Sequence, residues 1–263
     1  MKTGLEFMKF IPRTGEQFFD LVEISQPEII VEVGTWYGAS IIGFLQAAKS
    51  IGLTPTAIAV DTWLGSVEHW TDREKGEWAR SQLKLDNGEP NFITDFRSNV
   101  KSYGFESQVQ IVRAPSQAGL AYLLQQKIFP SLIYIDGDHS YSAVKSDIAL
   151  SMQFGNGKNS PLLAGDDWPW ASVRRAVILS AVRYGQSVWV KNHMWIIGKR
   201  ANLTSALISR GWTSVSELQF VALMLDLAAI RDLVKKLKRR IIRGRVDPVY
   251  SQLREFTSKW TKS

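Results

Sequence analysis

Ile29-Ile30-Val31-Glu32-Val33-Gly34-Thr35-Trp36-Tyr37-Gly38-Ala39-Ser40 reads as a buried strand that runs into a tight glycine turn and opens a helix. An apolar, β-branched run such as 29–33 is what a parallel strand covered on both faces looks like. Glycines at 34 and 38 stand where the backbone must turn sharply and approach a ligand. The same alternation continues downstream, with a helix over about 39–51 and further short Val/Ile-rich strands at 57–60, 109–112, 132–135 and 162–164. Strands alternating with helices build an open α/β sheet, so a doubly wound sheet of about seven mostly parallel strands is expected. The last two apolar runs, 187–190 and 194–197, are separated by Lys191-Asn192-His193, a hairpin spacing that makes the C-terminal end antiparallel. His193, in that turn, reads as a structural residue.

The chain has 263 residues, 45% of them hydrophobic, enough for one full core. One domain is expected over 1–222, followed by a basic helical extension over 223–263. There is no cysteine, which excludes disulfides and thiolate metal sites and makes a reducing, cytoplasmic location the expectation. The first twelve residues carry no apolar run of signal-peptide length, and no segment approaches the roughly 20 apolar residues of a membrane span. The formal charge of +7 is local: from Arg231 to Arg245 eight basic residues face a single acid, Asp232, and the rest of the chain is neutral. No basic face need cross the main domain, so nucleic acid is not an expected partner. Leu223, Leu227, Ile230, Val234, Leu237 and Ile241 recur at helical spacing. Such a basic helix suits peripheral contact with an anionic membrane surface through 223–245, or else docking on the domain or on a second copy in a homo-oligomer.

About 48 residues separate the second strand from the third, more than one crossover helix requires. An insertion over about 63–92, with Trp63, Trp70 and Trp78 among many charges, is expected to be a lid or substrate wall, or else a surface helix whose tryptophans pack on the domain.

In open α/β sheets the ligand sits beyond the carboxyl ends of the strands. The spacing Gly34-x-x-x-Gly38 differs from the Gly-x-Gly-x-x-Gly of pyrophosphate-binding enzymes and disfavours a dinucleotide. Val60-Asp61-Thr62-Trp63 ends the second strand with an acid that can accept both hydroxyl hydrogens of a ribose. Ile135-Asp136-Gly137-Asp138-His139 closes the fourth strand and Gly165-Asp166-Asp167-Trp168 the fifth. Carboxylates converging from adjacent strands repel one another unless a cation neutralises them, and oxygen ligands favour Mg²⁺, Mn²⁺ or Ca²⁺. Asp136, Asp166 and Asp167 are therefore read as a divalent-metal site, although each piece alone could be a turn with a helix cap. Asp138 reads as a supporting acid or a cap for the helix after it. Trp168 and Trp170 could wall an acceptor pocket or pack in the core.

Over about residues 25–200 these motifs resemble the class I S-adenosylmethionine (SAM)-dependent methyltransferases, above all the metal-dependent O-methyltransferases of the catechol type and those acting on sugars and natural products. The resemblance implies a Rossmann-like fold with SAM as cofactor. Glu32 and Ser40 would hold its methionine end, Gly34, Thr35, Tyr37 and Gly38 would line it, and Asp61, Thr62, Trp63 and Asp136 would surround it. Arg113-Ala114-Pro115-Ser116-Gln117 resembles the adenine-side loop and would place Ser116 and Gln117 near the base. His139 stands three positions past Asp136, where the sugar enzymes carry a histidine, and would take the acceptor's proton. The implied reaction is methyl transfer from the sulfonium to a hydroxyl of a saccharide or other small molecule, assisted by Mg²⁺ or another divalent cation. Alternatives are a metal-independent methyltransferase and a non-catalytic nucleotide-binding module.

Overall fold

The glycine turn sits at the centre of an eight-stranded sheet. In the computed structural model, residues 10–71, 80–155, 160–198 and 201–215 are described. The helices are α1 (Glu16–Ser25), α2 (Ala39–Ser50), α3 (Val67–Thr71), α4 (Ile93–Ser102), α5 (Ser116–Gln125), α6 (Tyr141–Ser151), α7 (Ala171–Arg183) and α8 (Ala201–Ser209). The strands are β1 (Ile29–Val33), β2 (Thr56–Asp61), β3 (Leu85–Asp86), β4 (Glu89–Pro90), β5 (Val109–Arg113), β6 (Leu132–Ile135), β7 (Leu162–Gly165), β8 (Ser187–Lys191), β9 (Met194–Gly198) and β10 (Thr213–Ser214). The main sheet runs β10-β8-β9-β7-β6-β1-β2-β5, and β3 and β4 form a separate ribbon.

Strands β5, β2, β1, β6 and β7 are parallel, and β9 pairs antiparallel with both β7 and β8, as the hairpin spacing requires. The sheet has one strand more than the expected seven. The extra one, β10, is a two-residue polar edge pairing Thr213 with Val190 and Ser214 with Trp189, too short to show a period in sequence.

Side chains alternate along each central strand into two cores. Ile30, Ala57, Ala59, Leu132 and Tyr134 face one side, with Phe18 of α1, Phe44 of α2 and Phe96 of α4. Val31, Val33, Ile58, Val60, Ile133 and Ile135 face the other, with Leu120 of α5, Ile148 of α6 and Val177 of α7. Burial on both faces explains why the strands read as unbroken apolar runs. A buried ion pair ties the N-terminal helix to the hairpin: Asp20 of α1, 7% exposed, accepts from Lys191 Nζ at 2.8 Å and from the Trp212 indole at 2.9 Å.

Register decides where the site forms. Val33 pairs with Val60 on one side and with Ile135 on the other, and Ile135 pairs with Gly165. The next residues in each strand, Gly34, Asp61, Asp136 and Asp166, therefore emerge at one level. Strand order reverses between β1 and β6, the crevice where an open α/β sheet binds its ligand.

The expected insertion contains α3 and the β3–β4 ribbon, and α4 follows it directly. Trp78 and the basic segment 223–263 lie outside the described residues, as do the membrane and subunit contacts expected of that segment. Among the described residues no helix is long and apolar enough to cross a membrane.

Candidate active site

A cleft of about 560 Å³ opens over the carboxyl ends of β1, β2, β5 and β6. Gly34 has φ +82°, and a Cβ there would collide with the backbone of Asp136 and Gly137, so only glycine lets the β1 and β6 loops close on each other. Gly38, at φ +90°, is the N-cap of α2. Thr35 lines the cleft with a buried Oγ1 that has no partner, an orphan acceptor and donor facing the ligand space.

Asp61 is clamped by the backbone. Its Oδ2 accepts from Trp36 N–H at 2.9 Å and its Oδ1 from Trp63 N–H at 2.8 Å. Burial pushes this carboxyl up, and the N–H bonds of the surrounding loops partly offset that. Backbone N–H groups of Thr35 and Thr62 also bond this carboxylate, whose side chain lines the cleft. Opposite stands the loop of Ala114, Pro115, Ser116 and Gln117, and Ser116 is tied from behind to buried Asp147 of α6.

The expected cofactor residues Gly34, Thr35, Tyr37, Ser40, Asp61, Thr62, Ser116, Gln117 and Asp136 all line the cleft. Glu32, Gly38 and Trp63 do not. Glu32 is fully buried beneath Ser40, whose hydroxyl contacts one of its carboxyl oxygens while the other has no partner. Burial holds this carboxyl well above its ordinary pKa. Trp63 turns its ring into the core against Phe96, 5.0 Å away, and donates its indole N–H to Trp36 O at 3.0 Å. Its φ of +53° reverses the chain there, which a strand-end motif does not reveal.

The acidic constellation differs from the expected triad. Ligand atoms of Asp136, His139 and Asp167 lie within 4.8 Å of one another, and all three residues line the cleft. Asp166 points away and is saturated: one oxygen meets His193 and the Asp167 N–H, the other meets Arg13 and, at 3.1 Å, the Tyr134 hydroxyl. Adjacent residues at a strand end face opposite ways, so Asp166 and Asp167 cannot both enter one site from the same side. Asp167, at φ +59°, turns out of the strand instead.

Burial pushes Asp136 up to about 8, with Asp166 and Asp167 adding repulsion and Arg13 and His139 opposing it. Burial also pushes Asp167 upward, but the His139 hydrogen bond and the charges of His139, Arg13 and His193 outweigh it and leave this carboxyl lowered. His139 Nε2 lies 2.7 Å from Asp167 Oδ2, and its ring packs on Trp170 at 4.7 Å. Asp138 accepts from Ser140 N–H at 2.6 Å, and Ser140 caps α6, so Asp138 supports the helix start.

One feature has no local signal in the sequence. Arg13 reaches from the segment before α1 to Asp136, 3.1 Å away, and to Asp166. From the insertion, His69 stacks on Trp36 at 4.3 Å and forms part of the cleft wall. Trp70 is half-exposed and donates to Leu64 O.

Residues 31–163, half of the chain, match the family model described as a methyltransferase domain. Comparison with curated proteins gave no sequence match. Among solved structures, the O-methyltransferase from Bacillus cereus in complex with S-adenosylhomocysteine (SAH) is 15% identical, with a TM-score of 0.50 over 72% of this chain and 82% of that one. TomG of Streptomyces achromogenes, an O-methyltransferase solved with SAM, is 13% identical, with a TM-score of 0.47 over 70% and 79%. SAH-bound methyltransferase PaMTH1 of Podospora anserina is 11% identical, with a TM-score of 0.48 over 70% and 76%. The Bacillus cereus structure shares the fold.

Proposed function

The chain belongs to this methyltransferase-domain family as a SAM-dependent methyltransferase, and on that premise we propose that it methylates a hydroxyl of a sugar or glycosylated small molecule with the help of a divalent cation. The observation that carries the finer reading is the Asp136–His139–Asp167 cluster on the wall of the same cleft that holds the glycine turn and Asp61.

The residues fit both groups. For SAM there is a glycine approach at Gly34, an orphan hydroxyl at Thr35, and at Asp61 a carboxylate on the cleft wall, the group a ribose diol would bond. SAM would supply an electrophilic methyl on its sulfonium. For Mg²⁺ there is a hard donor set, Asp136 and Asp167 with His139 beside them, whose mutual repulsion a cation would relieve. The cation would make an acceptor hydroxyl more acidic.

The remaining chemistry belongs to the protein. Asp61 fixes the ribose, and Ser116 and Gln117 bound the base. His139 receives the proton that leaves the acceptor, and Asp167 at 2.7 Å stabilises the imidazolium that results. Glu32, buried under Ser40, sets the Ser40 hydroxyl at the floor of the cleft.

The test is methyl transfer from SAM to glycoside acceptors with EDTA, then with Mg²⁺ restored, beside Asp167→Ala. EDTA should abolish transfer and Mg²⁺ should recover it, with SAH affinity unchanged. Transfer that is indifferent to EDTA would make the acids structural and leave a metal-independent methyltransferase.

A further inference from the structure

A second hollow of about 500 Å³ lies behind the acids, between the segment preceding and opening α1 and the β8–β9 turn. Arg13 and Asp167 line both it and the cofactor cleft, so whatever fills it abuts the Asp136–His139–Asp167 cluster. Resting on the methyltransferase reading above, we propose that this hollow is the acceptor subsite and that it takes an uncharged polyhydroxylated ring.

Its polar groups are arranged for a ligand. Gln17 lines it and is 7% exposed, yet its amide bonds no described residue. Neither its oxygen nor its nitrogen is sealed from the hollow, so a ligand there meets both a donor and an acceptor. That amide lies over Gly15, where a Cβ would come within 2.6 Å of Gln17 Oε1, so glycine leaves the amide its place.

Arg13 spends only Nη1 on Asp136 and Asp166, and its Nε and Nη2 bond no described residue. His193 is held through Nδ1 by Asp166, which leaves its other ring nitrogen on the side of the hollow. Asp167 contributes a carboxylate. Arg13 and Gln17 supply donors and Gln17, His193 and Asp167 supply acceptors, the complement of hydroxyls that both donate and accept.

Other acceptor classes fit poorly. An anion would meet Asp166 and Asp167, and a catechol ring would need an apolar slot, whereas Phe18 is the only apolar side chain lining this hollow among the described residues. His193, expected to be merely structural in its turn, thereby becomes a specificity residue.

Saturation-transfer NMR on the full chain loaded with SAH tests this, with methyl α-D-glucopyranoside and catechol as probes. The variants are Gln17→Leu, which removes an unpaired amide at similar volume, and His193→Asn, whose amide can replace Nδ1 toward Asp166 but falls short of the hollow. The glycoside should receive saturation from the wild type, and each variant should bind it about 5- to 10-fold more weakly, one hydrogen bond's worth, with SAH affinity within about twofold. Equal glycoside binding by the wild type and both variants would overturn the subsite while leaving the sugar reading in place. No transfer to the glycoside, with or without transfer to catechol, would overturn the sugar reading and the subsite with it.

Discussion

Replacing Asp61 by Asn preserves shape and removes one acceptor, which separates its two roles. Both oxygens already accept a backbone N–H, from Trp36 and from Trp63, so either orientation of the new amide sets an NH₂ against a donor. Leaving one such buried N–H unpaired costs about 1–3 kcal/mol, and the unfolding free energy should fall by that much. In the complex, one charge-assisted bond to a ribose hydroxyl is also lost, about 1.5–3 kcal/mol, which corresponds to roughly 10- to 150-fold weaker binding. Urea unfolding reads the first effect and titration calorimetry with SAH the second. An Asp61→Asn protein that loses stability yet binds SAH within twofold of wild type would show that the carboxylate only clamps the loops and would refute the ribose assignment.

Gly34→Ala should abolish measurable SAH binding and cost about 2 kcal/mol or more of stability, because φ +82° and the backbone of Asp136 both exclude a Cβ; calorimetry and urea melts check it. Asp147 is buried with one oxygen unpartnered, and burial pushes its pKa up to about 6, against a Ser116 hydrogen bond that opposes the shift. The native state therefore holds this proton more tightly than the unfolded chain, so stability is lost as pH rises from about 4 to about 6. Asp147→Asn should match wild type below pH 4 and be more stable by about 1–3 kcal/mol above pH 6 in urea melts taken across that range. Asp20→Ala leaves the Lys191 ammonium and the Trp212 indole without a main partner and should cost about 3 kcal/mol by thermal or urea unfolding, with little change in SAH affinity.

The sheet and the cofactor turn were legible because their signals are local. The inner parallel strands β1, β2, β6 and β7 are buried on both faces and must be largely apolar, so 29–33 and 132–135 stand out from the flanking sequence without any partner being known. Gly34 and Gly38 could be read because positive φ and close approach select glycine, and Asp61 because it closes a strand at the same level as that turn. Which acid faces the cleft was a different matter. Asp166 and Asp167 are neighbours of one residue type, and only the turn at φ +59° sends Asp167 to His139 and leaves Asp166 to Arg13, Tyr134 and His193. Arg13 is 123 residues from Asp136 and 153 from Asp166, His193 is 27 from Asp166, and none of these separations leaves a periodic trace. Periodicity and turn chemistry act on neighbours in the chain, so the sequence by itself determined the sheet, the cofactor turn and the candidate acids. Pairings between side chains on different elements depend on how those elements pack, so the tertiary structure alone decided which charges meet, which ring enters the core and where the second hollow lies.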